Sequence, residues 1–204
     1  MKEFINFGCE HYQAQRLMRR TETIMQVRTE TDRTIWFSMW FLASIATFGA
    51  AFFPMFHRLI ESRNKHFRRE ADLEKQIEAF LRKKGKETPA TSDSFSEMNA
   101  KAWAASIILV IPVFVITYLL SRDLLMHEKR QDKFLASAFP ERMFMPQTIP
   151  IRKYALITIV TLGVGIVYWL YEIVNMYNAH FKAQREIEKE IVKLMEEKRV
   201  GESM

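Results

Sequence analysis

Cysteine is almost absent: Cys9 stands alone among 204 residues, which excludes an intrachain disulfide and two-cysteine redox chemistry. Charge is absent from three long stretches, TIWFSMWFLASIATFGAAFFPMF at 34–56, AWAASIILVIPVFVITYLL at 102–120 and YALITIVTLGVGIVYWLY at 154–171. With no Asp, Glu, Lys or Arg inside them, the usual pointers to an ion pathway are missing, and a pore or transporter has no support. Also missing are a P-loop, a Gly-rich dinucleotide turn, an HExxH pair and a serine-nucleophile elbow, so no catalytic residue or cofactor is expected. No short apolar segment with a small-residue cleavage site precedes Ile35, and MKEFINF is too short to make Gly8-Cys9 a lipoprotein signal. The polar arm is expected to stay in the mature protein.

Each charge-free run has about the 18 or more residues that a helix rising 1.5 Å per residue needs to cross the hydrocarbon. Mean hydropathy is only −0.14 because these runs alternate with charged connectors. The expected fold is therefore all-α: an integral membrane protein with three transmembrane helices and two charged helical stalks. Its segments are a polar arm at 1–33, transmembrane helices at 34–56, 102–120 and 154–171, a helical stalk at 57–86, a flexible return at 87–101, a connecting loop at 121–153, and a second stalk with the tail at 172–204. A net charge of +6 would suit nucleic acid, but basic residues beside apolar spans more often orient the chain and meet anionic head groups. The expected partners are the lipid bilayer, a second copy, or another membrane or cytoplasmic protein, with no specific nucleic acid. Lys and Arg divide 17 against 13 between the two sides of a three-span topology. That slight excess places the N-terminus outside and the stalks and C-terminus in the cytoplasm.

One segment occurs twice. NKHFRREADLEKQI at 64–77 returns as NAHFKAQREIEKEI at 178–191, an offset of 114 that also carries Thr47 and Gly49 onto Thr161 and Gly163. Spans one and three run in the same direction, so this is a parallel repeat of a span followed by a stalk. On the 3.5-residue spacing of a coiled-coil seam, Leu73, Ile77 and Phe80 match Ile187, Ile191 and Leu194, and His66 matches His180 nearer the membrane, as expected of a helix pair within one chain, with pairing between chains or two separately solvated helices as the alternatives. If the two histidines face each other, protonating both in mild acid would set like charges together and loosen the stalks; the alternative, which is favoured, is that both imidazoles simply reach water or lipid phosphate. Gly49, Gly163 and Gly165 are expected to let helices pack closely. His66, Glu70 and Glu74, like His180, Gln184 and Glu188, lie four apart on one helix face; that pattern reads as a solvated charged face, and no metal is expected.

The stretch TLGVGIVYWLYEIVNMYNAHF resembles the T-x-G, Y-W-x-Y and N pattern of small prokaryotic multi-pass membrane proteins grouped as a domain of unknown function. The matching positions are Thr161, Gly163, Tyr168, Trp169, Tyr171 and Asn178; the first copy keeps Thr47, Gly49 and Asn64. The resemblance implies helical membrane architecture and supplies no activity. In architecture alone the chain is also similar to small archaeal YidC-like insertases, which place a charged helical segment after an outward-starting first span. The expected function is a membrane interaction or scaffold protein whose stalks engage a partner, with membrane-protein insertion as the alternative.

Overall fold

Each apolar run is broken near its middle, and the breaks set the architecture. The computed structural model describes residue 19, residues 32–83, residue 85, and residues 96–140 and 148–200, apart from the side chains of 196–200. Helix α1 (Phe37–Ala46) stops before Thr47 and α2 (Phe52–Lys83) starts after Ala51. Helix α3 (Ala100–Ser106) tightens into a 3-10 turn (Ile107–Leu109) and reverses at Val110 into α4 (Ile111–Ala138). Helix α5 (Ile151–Val160) is separated from α6 (Ile166–Val200) by the same five-residue break as the first pair. Among the described residues there are six α-helices and no strand.

The breaks have a local cause. The Thr47 hydroxyl donates to the Ala43 carbonyl (2.7 Å) and accepts from the Ala51 N–H (3.0 Å); Thr161 donates to Ile157 (2.7 Å) and accepts from the Gly165 N–H (2.7 Å). One hydroxyl thus caps the end of a short arm and the start of a long helix, where backbone groups have no helical partner. Gly49 (φ +91°) and Gly163 (φ +95°) take the left-handed conformation that the reversal requires. A side chain at Gly49 would meet nothing within 4 Å, so its role is conformational freedom rather than the close helix packing expected of it. A Cβ at Gly165 would lie 2.9 Å from the Thr158 Cα, so the close turn of its own hairpin leaves no room for a side chain there.

Val110 performs the third reversal without glycine, at φ +63° and ψ −51°, close to a strained γ conformation that costs a β-branched residue most. Val110→Gly is expected to raise stability by about 1 kcal/mol, the strain relieved exceeding glycine's entropic cost. A shift of the denaturation midpoint to higher denaturant at unchanged slope is the readout; a lower midpoint would show that the surroundings already accommodate the valine.

The three continuous spans expected from the sequence are thus three helical hairpins. Among the described residues no helix is long and apolar enough to cross a membrane. Residues 121–138, expected within a connecting loop, are the lower part of α4. They are helical because Leu120, Leu124, His127, Gln131, Phe134 and Ala138 keep the alternating three- and four-residue spacing of a buried seam.

The long helices α2, α4 and α6 run parallel about a common axis, and each short arm lies between its own long helix and that of the preceding unit. Asn64 on α2 clasps the backbone of Met98 at the foot of unit two's arm, donating to its carbonyl (2.7 Å) and accepting from its N–H (3.3 Å). Asn178 on α6 clasps Ile35 at the foot of the first arm in the same manner (2.8 and 3.0 Å). Phe37 then meets Tyr171 edge to face, so the arm climbs antiparallel to the long helix. The hinges Gly49, Val110 and Gly163 set the register of three units at offsets of 61 and 53 residues. Met55, Ile116 and Trp169 form one buried layer on this register, and Leu59, Leu120 and Ile173 the next. The apolar interior falls into two clusters, one near the hinges and one around Leu73, Ile77, Phe134 and Ile191. A polar layer divides them.

Candidate functional site

The same register places one histidine from each long helix at the same height: His66 on α2, His127 on α4 and His180 on α6. All three are buried, the least so being 3% exposed. Their rings pack edge to face, with centroids 4.9 Å apart for His66 and His180, 5.2 Å for His127 and His180, and 5.6 Å for His66 and His127. Phe67 lies against His127 (4.3 Å) and Phe181 against His66 (4.7 Å), so aromatic faces close the sides of the layer.

Carboxylates stand behind two of the rings. His66 Nδ1 lies 2.9 Å from Asp32 Oδ1, and His180 Nδ1 lies 3.0 Å from Glu128 Oε1. Burial works to raise the Asp32 carboxyl, but hydrogen bonds from His66 and Arg69 outweigh it and hold the group below its usual range. An ionised carboxylate only accepts, so His66 Nδ1 carries the proton and its Nε2 presents a lone pair. That Nε2 lies 3.0 Å from Nε2 of His180. Burial pushes His66 down to about 4 and His127 well below the usual imidazole value, each helped by the neighbouring rings. The same burial disfavours the charged ring inside the packed layer, so protons are taken up as the stalk loosens rather than as two facing charges within it.

One turn further along the helices the register brings Glu70, Gln131 and Gln184 together. Gln131 Nε2 donates to Glu70 Oε2 and to Gln184 Oε1, both at 2.9 Å, and Gln184 Nε2 donates to Glu70 Oε2 at 2.8 Å, closing a triangle. Burial, and next the Glu188 charge, push the Glu70 carboxyl well above its ordinary value. Arg69 serves several acids from one guanidinium, reaching Asp32 (2.8 Å), Glu188 (2.9 Å) and Glu70 (3.3 Å). Arg63, above the histidines, is buried and paired with Asp123. Its guanidinium also stacks 4.8 Å from the centroid of Phe67.

Of the residues singled out from the sequence, His66 and His180 meet directly. Leu73, Ile77, Phe80 and Ile191 are buried in the lower cluster, with Ile187 and Leu194 packed against it. The charged face of His66, Glu70 and Glu74, expected in water, is buried, because a third long helix covers it. Thr161 and Gly163 form a hinge, Trp169 fills the upper layer with its indole N–H on Ser121 Oγ (2.9 Å), and Asn178 clasps Ile35.

Sequence reasoning missed His127, Gln131, Glu128, Asp32 and Arg69. The spacing of His127 and Gln131, four apart as in His66-Glu70 and His180-Gln184, was the available signal for the third helix. Nothing in the sequence ties Asp32 to a ring 34 residues away. Cys9 and the segments 1–18, 86–95 and 141–147 lie outside the described residues. Comparison with family models, with curated proteins and with solved structures finds no match to this chain.

Proposed function

We propose that this chain is a membrane-embedded interaction or scaffold protein, whose three hairpin tips sink into one leaflet while the three-helix stalk stands in water and offers its surface to a partner. The supporting observation is the crown of exposed apolar side chains where the three hinges meet: Phe48 is 102% exposed and Leu162 94%, with Ile108, Leu109, Val110 and Ile111 exposed beside them. An apolar surface of this extent marks an interaction site rather than ordinary exposure.

Depth favours lipid as the occupant. Counting from Gly49, Val110 and Gly163, the first Asp, Glu, Lys or Arg on each long helix is Arg58, Arg122 or Glu172, which is nine, twelve and nine residues away. At 1.5 Å per residue the charge-free cap is about 13–18 Å deep. Half of a hydrocarbon core of about 30 Å is close to this. The threonine hydroxyls that close the hinges satisfy backbone groups where no water would be present. Trp103, Tyr154, Tyr168 and Tyr171 lie toward the base of the cap, the level at which aromatic rings meet head groups.

In this reading the chain need not cross the membrane. The first arm and the last stalk are joined by the Ile35 and Asn178 clasp, so both lie on the polar side of the crown. Arg33, Arg58, Lys101, Arg122, Arg152 and Lys153 then share one side, and the near-even charge split of a crossing topology disappears. Positive flanks of this kind favour the cytoplasmic face.

Depth quenching tests the proposal. Single cysteines replacing Phe48, Leu109 and Leu162 in a Cys9→Ser background, each carrying an environment-sensitive fluorophore, are expected to lie near the bilayer centre in vesicles. Cysteines at Lys75 and Lys153 are expected to react with impermeant reagents from one and the same side. Tips open to aqueous quenchers, or stalk residues reached from opposite sides, overturn it. Crosslinking in native membranes then identifies the partner; ribosomal or translocon subunits would carry the function to insertion.

A further inference from the structure

We propose that His66, His127 and His180 together bind one divalent first-row metal ion, zinc foremost, through one ring nitrogen each, on the axis of the three long helices. The candidate ligand atoms all lie within 4.8 Å of one another. Three imidazoles from three separate elements form a set characteristic of zinc, whose metal–nitrogen bonds of about 2.0 Å place tetrahedral ligands about 3.3 Å apart. The 3.0 Å between the Nε2 atoms of His66 and His180 is already near that separation.

The surroundings favour a metal over a merely packed aromatic layer. Asp32 and Glu128 each engage an Nδ1, leaving the Nε2 atoms of His66 and His180 turned toward the axis, 3.0 Å apart. With Nδ1 protonated on each ring, both Nε2 atoms offer a lone pair to a cation held off the line that joins them. A carboxylate behind a ligating histidine fixes its tautomer and raises its basicity, which is the usual arrangement around zinc. The two carboxylates also offset the charge of a dication, and the Arg69 guanidinium, 3.4 Å from His66 Nδ1, is itself offset by Asp32 (2.8 Å), Glu188 (2.9 Å) and Glu70 (3.3 Å). The triangle of Glu70, Gln131 and Gln184 closes the layer one turn further along the axis.

Burial assigns the ion its role. Phe67 and Phe181 cover the rings, and none of the three histidines is more than 3% exposed, so substrate has no approach. The ion is a staple joining α2, α4 and α6 at mid-height, and its removal loosens the stalk rather than ending a reaction.

The test uses the full chain in detergent, purified without a polyhistidine tag, so it does not depend on membrane insertion. Elemental analysis after zinc loading and gel filtration is expected to give one zinc per chain, and Co2+ in its place a tetrahedral visible spectrum. His127→Gln is expected to lower zinc affinity at least 100-fold by chelator competition, and Asp32→Asn about 10- to 100-fold. Zinc is also expected to raise the melting temperature of the wild type but not of His127→Gln, whose helix content is checked by circular dichroism. Failure of the wild type to retain zinc or Co2+, or equal retention by His127→Gln, overturns the proposal. The Co2+ spectrum of the wild type decides the matter even where a variant does not fold.

Discussion

Arg69→Met is expected to destabilise the stalk by about 3–5 kcal/mol, the range for removing one partner of a buried charge network. The guanidinium bonds Asp32 and Glu188, whose side chains are only 1% exposed, and leans on Glu70. Methionine fills a similar volume but leaves these acids without the cation that holds them together. For a chain of this length the loss corresponds to a fall in melting temperature of about 6–20 °C, read by circular dichroism in detergent. Arg69→Lys is expected to recover only part of it, since a point charge cannot reproduce the fork that reaches several carboxylates. A loss below about 1 kcal/mol for Arg69→Met, the size of a surface pair, would show that water reaches this layer.

Phe67→Ala is expected to cost about 3–5 kcal/mol, the usual penalty for emptying a large aromatic site. The ring is buried between His127, at 4.3 Å, and the Arg63 guanidinium, at 4.8 Å, so its removal also lays open the side of the histidine layer. Phe67→Leu keeps most of the volume and is expected to cost about 1 kcal/mol. Denaturant melts of the pair separate packing from access: if both variants lose the same amount, the site collapses around either one and the cavity argument fails. Under the metal proposal, Phe67→Ala is further expected to release zinc to chelators faster than the wild type does.

How much of this could be read in the amino-acid order depends on where each constraint acts. The two-copy repeat was visible because Asn64, His66 and Phe67 and their equivalents Asn178, His180 and Phe181 all keep their identities. Unit two kept only its axis, with Leu120, His127 and Gln131 in register. Off the axis, Leu125 replaces the clasping asparagine and Glu128 replaces the phenylalanine, while the hinge position is Val110 rather than glycine. Those positions face different neighbours in unit two, so nothing compels them to match. The folding back of the apolar runs was hidden for another reason. A charge-free run of about 20 residues has the composition of one spanning helix and equally of two short arms. Only Thr47 with Gly49, and Thr161 with Gly163, each in mid-run, marked the difference, and a threonine alone is consistent with either. The polar layer is hidden in the sequence because a helix face carrying His, Glu and Glu looks solvated until its cover is known, and that cover is the charged lower part of α4, which reads as a connecting loop.

The arms wedged between neighbouring long helices also dictate an order of assembly. The groove that receives α3 is complete once α2 and α4 exist, and that of α5 once α4 and α6 exist, so these hairpins lock as they are made. The groove for α1 needs α6, and the Ile35 clasp joins residues 143 positions apart. Contacts of such sequence separation form slowly. The first arm to leave the ribosome is therefore the last to find its seat, and until Asn178 has been synthesised the ring stands open on one side, with the chain's earliest apolar segment in need of lipid or a chaperone to shelter it.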